Sequence, residues 1–196
     1  MATTRMMRDN ATQSINLPNI ISIFRFFVTF YFIYAVYQGW LRLALYLFLI
    51  QGISDLLDGF IARVMGWKTE LGAYLDPIAD KTMLVAAFVM LYIVGIIPLW
   101  LAALVLGRDI VIAVGYLILY HYANNVKPRP TIFGKITTAL QIATILYALW
   151  SWSAANSVLR EYNLIFFYAT ALATIISGTH YLFSGIATLK QQHSKL

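Results

Sequence analysis

Four aspartates stand in the pattern Asp55-x-x-Asp58-Gly59-x-x-Ala62-Arg63, followed after Val64 to Leu71 by Gly72-x-x-x-Asp76-x-x-x-Asp80. They are four of only eight acidic residues in the chain, and the sequence around them is largely apolar. Carboxylates in such surroundings are costly unless something compensates their charge. Spacings of three and four residues put Asp55 with Asp58, and Asp76 with Asp80, on single faces of two helices. Hard oxygen donors converging from two helices describe a divalent-cation site, with Mg²⁺ or Mn²⁺ preferred over metals that seek softer ligands. Two such ions could hold a pyrophosphate, polarise the phosphorus under attack and stabilise a leaving phosphate. A carboxylate not used up by metal could take the attacking hydroxyl's proton, and Asp80, last in the row, is the expected base. Gly59 and Ala62 leave room beside the carboxylates. Arg63 is placed to neutralise substrate phosphates, with Lys81 a weaker candidate.

The elements that must carry these groups are membrane helices. Of 196 residues, 61% are hydrophobic and 11% charged, and the mean hydropathy is +0.73, too little polar surface for a water-soluble domain. Six apolar spans are predicted, roughly Asn19 to Tyr37, Leu41 to Arg63, Leu75 to Val94, Pro98 to His121, Ile132 to Trp152 and Leu164 to Leu189. Each is long enough for about 30 Å of hydrocarbon at about 1.5 Å per residue. Gln38-Gly39, Gly95 with Pro98, and Lys127-Pro128-Arg129-Pro130 divide them. Pro77 suits a first-turn position in the third span, with Gly72 just before it. Residues 1–18 read as a cytoplasmic lead-in without signal-peptide features, and residues 1–196 as a single membrane domain.

Charge sets the expected orientation. With both termini inside, the inner segments hold Arg5, Arg8, Arg63, Lys68, Lys127, Arg129, Lys135, Lys190 and Lys195, and the outer ones only Arg42 and Arg160. The expectation is a multi-pass protein with its active site at the cytoplasmic face of a membrane, in bacteria the inner one. Cysteine is absent, which excludes thiolate chemistry. His121, His180 and His193 have no metal-ligand spacing and read as interfacial or tail residues. The aromatics are expected first of all in lipid-facing belts, and Gly107, Gly115, Gly178 and Gly185 in helix packing. A rival class, a small cation transporter binding its ion at the aspartates, fits less well, since the carboxylates cluster at one face and no inverted repeat is visible.

The eight named motif residues resemble the CDP-alcohol phosphatidyltransferases. The resemblance extends from Asn16-Leu17-Pro18-Asn19 and Arg25, through Leu75-Asp76-Pro77-Ile78-Ala79-Asp80-Lys81, to Gly134-Lys135. It implies an all-α bundle of six transmembrane helices around a cytoplasm-facing polar cavity, usually a homodimer, with no nucleic-acid partner. It also implies that Asp55, Asp58 and Asp76 bind metal, sharing two Mg²⁺ or Mn²⁺ ions with Asp80, which is base and sometimes ligand. Asp58, Gly59, Ala62, Arg63 and Gly72 would border the CDP moiety of CDP-diacylglycerol. The implied reaction is attack by an alcohol on the phosphatidyl phosphorus with release of CMP.

The NLPN start, the LDPIADK string and the Gly134-Lys135 pair resemble the branch with glycerol-type acceptors. Lys135, Arg108 and Arg25 are the residues expected to meet the acceptor's phosphate; for Arg25 and Arg108 a snorkelling role at the interface is the competing expectation. Enzymes that use glycerol 3-phosphate often show Arg-Glu followed by Leu-Arg on the fourth helix and Gly-Lys-x-Lys-Thr before the fifth, a second arginine and a second lysine. Here Arg108-Asp109 is followed by IVIAVGYLILY, and Gly134-Lys135 by Ile136-Thr137-Thr138. Two missing cations weaken a site for a dianionic phosphomonoester. The expected acceptor is therefore phosphatidylglycerol, making cardiolipin, with glycerol 3-phosphate the alternative. Asp109 is expected to pair with Arg108 or a neighbouring helix rather than bind metal.

Overall fold

Two glycines close two of the long helices in the same way. In the computed structural model, Gly39 and Gly95 both have φ 76°. The Gly39 amide donates to the Val36 carbonyl (3.0 Å) and the Trp40 amide to that of Ala35 (2.8 Å). The Gly95 amide donates to Tyr92 (2.9 Å) and the Ile96 amide to Leu91 (2.8 Å). Each set satisfies the last carbonyls of a helix through a left-handed residue, a conformation that costs glycine least.

The structure describes the backbone of residues 17–65, 70–122, 131–154 and 157–193, and side chains within 24–54, 81–115, 131–154 and 158–184. The described residues form helices joined by short turns, without a strand: α1 (Leu17–Tyr37), α2 (Leu41–Met65), α3 (Glu70–Ile93), α4 (Leu99–Tyr122), α5 (Ile132–Ser153), α6 (Ser157–Glu161) and α7 (Asn163–His193). The six long helices match the six predicted spans to within a few residues, apart from the start of α3.

Helix α3 begins at Glu70 instead of Leu75. Gly72 therefore lies inside its first turn, and Pro77 in its interior, not at its start. Glu70 complements the helix dipole and Leu71, Ala73 and Leu75 are good helix formers, so the helix nucleates ahead of the proline. The proline lacks the N–H that would serve the Ala73 carbonyl. The five-residue α6 was not anticipated; it is too short to show periodicity.

The chain forms two compact units, Met1–Met90 and Leu91–Leu196. In the first, α1 packs on α2. Phe32, Ala35, Val36, Ala44 and Phe48 are buried there, with the Phe32 and Phe48 rings 6.0 Å apart. Gln51 of α2 donates its amide to the Thr29 hydroxyl of α1 at 3.1 Å.

In the second unit, α7 packs along both α4 and α5. Tyr147 stacks on Phe166 at 4.4 Å and Trp100 on Tyr168 at 5.7 Å. A buried polar seam runs between α5 and α7. Thr137 donates to the Ala173 carbonyl (3.0 Å), the Thr144 and Thr170 hydroxyls share a hydrogen bond (2.7 Å), and Asn163 donates to Ser151 (2.8 Å). Hydroxyls that bond to backbone in this way let two apolar helices approach without orphaning polar groups.

Among the described residues two stretches are long and apolar enough to cross a membrane, Ile132–Ser153 and Val158–Ser184. Only 33% and 28% of an apolar 18-residue window in each is buried inside the protein, whereas the core helix of a soluble domain would be mostly covered. Helix α1 likewise exposes Phe24, Phe27, Phe30 and Tyr37. So much uncovered apolar surface marks contact with something other than water. Of the glycines expected at packing positions, Gly178 lies against Arg108, a Cβ there standing 3.6 Å from the arginine's Cγ. Gly107 and Gly115 have no described atom within 4 Å of such a Cβ, and Gly185 lies outside the described side chains.

Candidate functional site

The motif aspartates are carried by two consecutive helices of the first unit. Asp55 and Asp58 lie on α2, with Gly59, Ala62 and Arg63 after them, and Asp76 and Asp80 lie on α3, after Gly72. The side chains of these eight residues lie outside the described residues, as do residues 66–69 between the helices. Among the described residues no group of three or more His, Asp or Glu could hold a metal ion.

The second part of the predicted site is described in detail. Arg108, in the middle of α4, keeps only 9% of its side-chain surface exposed, and Asp109 beside it 10%. Arg108 Nη1 pairs with Asp109 Oδ1 at 2.9 Å, the pairing expected for Asp109. Its other terminal nitrogen, Nη2, donates to Ser177 Oγ of α7 at 2.7 Å. The guanidinium carbon stands 5.7 Å from the centre of the Tyr181 ring, within cation–π range. Buried Nε has no hydrogen-bond partner. Arg108 is thus held by partners on its own helix and on α7.

The N-terminus of α5 completes the surroundings. Thr131 caps it, its hydroxyl accepting from the Gly134 amide at 3.2 Å. A Cβ on Gly134 would stand 3.4 Å from Thr131 Oγ1, 3.4 Å from Tyr181 Oη and 3.5 Å from Arg108 Nη2. The bare glycine thus lets three polar atoms, from Thr131, Tyr181 and Arg108, approach the first turn of α5 closely. Lys135 follows it in the first turn of α5 and is exposed. Helices α4, α5 and α7 therefore bring Arg108 together with Gly134, next to Lys135, and place Ser177 and Tyr181 around it. Those last two were not singled out from the sequence.

Arg25 belongs to the first unit, on α1, where it is 2% exposed. Its carbonyl accepts from Thr29 at 2.9 Å and from Gln51 at 3.5 Å. His180 lies half-buried beside Phe133, with ring centres 5.1 Å apart.

A family model of the CDP-alcohol phosphatidyltransferases matches residues 15–176, which include the aspartate motif, Arg25, Arg108, Gly134 and Lys135. The chain belongs to that family. Membership leaves the cation-transporter alternative without support. Among similar proteins is a cardiolipin synthase (CMP-forming) of Rattus norvegicus, 30% identical over 95% of this chain and 68% of its own length. A probable cardiolipin synthase (CMP-forming) of Drosophila melanogaster is 29% identical over 94% of the chain. This phosphatidyltransferase-family chain spans 62% of the fly protein's length. A CDP-diacylglycerol–glycerol-3-phosphate 3-phosphatidyltransferase of Haemophilus influenzae is 30% identical, over 85% of the chain and 91% of that protein. Relatives of both kinds thus align at similar identity, so overall similarity does not choose the acceptor.

Proposed function

We propose that this protein transfers the phosphatidyl group of CDP-diacylglycerol to phosphatidylglycerol, forming cardiolipin and CMP. The observation that carries the choice of acceptor is the sparse set of cations: Arg108-Asp109 is followed by IVIAVGYLILY, with no second arginine, and Gly134-Lys135 by Ile136-Thr137-Thr138, with no second lysine. A site of reduced positive charge suits the singly charged phosphodiester of a lipid better than a phosphomonoester dianion.

The donor set of the motif fits a hard divalent ion, since Asp55, Asp58, Asp76 and Asp80 supply oxygen alone and the chain has no cysteine. Bound there, one or two Mg²⁺ or Mn²⁺ ions would neutralise the pyrophosphate and polarise the phosphorus. Gly59, Ala62 and Gly72 leave the backbone approachable for the CDP moiety, and Arg63 neutralises its phosphates. The acceptor's hydroxyl oxygen bonds to the phosphatidyl phosphorus as the P–O bond to CMP breaks. CMP departs with that bond's electrons, and the hydroxyl proton passes to Asp80. Lys135 and Arg108, with Arg25 as a third candidate, orient the acceptor's phosphate.

The reading extends to a homodimeric, six-span protein of a cell membrane, with both termini and the aspartates on the cytoplasmic side. The cation bias of the inner segments and the exposed apolar faces of α1, α5 and α7 support it.

The test is CMP release by the purified protein with Mg²⁺ and CDP-diacylglycerol, offered phosphatidylglycerol or glycerol 3-phosphate. Turnover with phosphatidylglycerol is expected. Turnover with glycerol 3-phosphate alone would reassign the chain to phosphatidylglycerophosphate synthesis.

A further inference from the structure

We propose that Arg25 is a positioning residue for the metal site: it stands opposite Asp55 across the α1–α2 contact and supplies the charge that balances and aims that carboxylate. The proposal rests on the metal-binding role of Asp55 given above. Helices α1 and α2 run antiparallel in a register fixed by two contacts. The Phe32 and Phe48 rings meet at 6.0 Å, and Gln51 donates to Thr29 at 3.1 Å. From the first contact to the second, α1 steps back three residues and α2 steps forward three. One further turn along each helix, four residues, brings Arg25 opposite Asp55. Ala44, Phe48 and Gln51, all buried, share one stripe of α2, and positions 55 and 58 continue that stripe.

The burial of Arg25 calls for an anion. Arg25 is 2% exposed, whereas Phe24, Phe26 and Phe27 beside it are 57%, 42% and 69% exposed, so the arginine lies on the inner side of α1. Arginine stays protonated, and a buried cation is costly unless an anion meets it. Helix α1 has no acidic residue, and α2 has two, Asp55 and Asp58. Gln51 does not serve as the acceptor, since its buried Oε1 has no hydrogen-bond partner. The Gln51 amide nitrogen is spent on Thr29 and on the Arg25 carbonyl, at 3.1 and 3.5 Å, which ties α2 to the backbone of α1 at this level. A long side chain leans toward the N-terminus of its helix, which on α1 is the direction in which α2 runs on to its aspartates.

A ligating carboxylate held through its second oxygen presents the first to the metal in a fixed direction. Losing such support typically costs roughly ten- to a hundredfold in metal affinity. The guanidinium also offsets part of the repulsion among the motif's four carboxylates. Arg25 touches neither metal nor reacting atoms; it acts through Asp55, a different task from the acceptor contact considered for it above.

The test uses the full-length protein in detergent. Without Mg²⁺, Arg25→Met leaves a carboxylate without its counter-charge and should lower the melting temperature by roughly 5–10 °C. Adding Asp55→Asn should recover most of that loss, whereas adding Asp58→Asn should not. With Mg²⁺, Arg25→Met should need about tenfold more of the ion for half-maximal binding of CDP-diacylglycerol, and Arg25→Lys, which keeps the charge, should need clearly less than Arg25→Met. No rescue by Asp55→Asn, or equal rescue by Asp58→Asn, would overturn the pairing. An unchanged Mg²⁺ requirement with a raised acceptor KM would overturn the metal-site role and return Arg25 to the acceptor. Should Arg25→Met fail to fold, the double variant with Asp55→Asn should fold, and failure of both would refute the proposal. The melting comparison needs neither catalysis nor metal. A wild type whose lipid binding ignores Mg²⁺ would therefore sink the metal reading of Asp55 separately.

Discussion

Arg108 of α4 spans to α7 through a 2.7 Å hydrogen bond from its Nη2 to Ser177 Oγ. Its partners lie on two helices, and the residue sits where α4, α5 and α7 meet beside Gly134. Removing the hydroxyl leaves a nearly buried charged donor without its acceptor. Ser177→Ala should therefore cost about 2 kcal/mol of stability, read by thermal or denaturant unfolding in detergent. The same variant should raise the acceptor's KM, because the guanidinium gains freedom to rotate. Unchanged stability and KM together would mean that the bond contributes nothing in solution.

Gln141 is fully buried in α5, and neither its amide oxygen nor its amide nitrogen has a hydrogen-bond partner. It interrupts a seam in which Thr137, Thr144, Thr170 and Ser151 are all bonded. An orphaned buried amide is expensive, and an apolar side chain of similar shape avoids that cost. Gln141→Met should raise stability by about 1–2 kcal/mol. A loss of similar size would reveal a bonded amide, for instance through a buried water.

The turn after α3 gives a paired prediction about backbone conformation. Gly95 has φ 76°, whereas Gly107 is helical, and no described atom lies within 4 Å of a Cβ at either position. Gly95→Ala would force a left-handed alanine and should destabilise by about 1 kcal/mol or more. Gly107→Ala meets no such strain and should stabilise by about 0.5–1 kcal/mol. Melting temperatures moving in the same direction for both variants would contradict the assignment of Gly95 as a left-handed cap.

The helices and the motif were legible in the sequence for different physical reasons. Long apolar runs leave little choice but helix, and Gly39 and Gly95 mark two ends because left-handed caps select glycine. The start of α3 was misjudged because Pro77 resembles a start signal, while the residues from Glu70 onward favour helix strongly enough to carry it in the interior. Asp109 was legible as a partner for Arg108, its immediate neighbour in sequence. Ser177 and Tyr181 were not, since a serine and a tyrosine on an apolar helix carry no signal of a contact with an arginine 69 and 73 positions away. Spacing reports which residues share an element, and tertiary partners arise only when elements pack.

The division of labour among the aspartates can be tested on α2 and α3. Both Asp58→Asn and Asp80→Asn keep side-chain size and remove one charge. If Asp80 takes the hydroxyl's proton, its asparagine variant should lose about 100-fold or more in turnover, while binding of CDP-diacylglycerol in Mg²⁺ largely survives. If Asp58 holds metal and borders the CDP moiety, Asp58→Asn should lose binding and turnover together, and need more Mg²⁺ for what remains. Titrating Mg²⁺ against CDP-lipid binding separates the two, because a base that holds no ion has no Mg²⁺ term of its own. Loss of lipid binding in Asp80→Asn with residual turnover intact would exclude it as the base and leave it as a metal ligand alone.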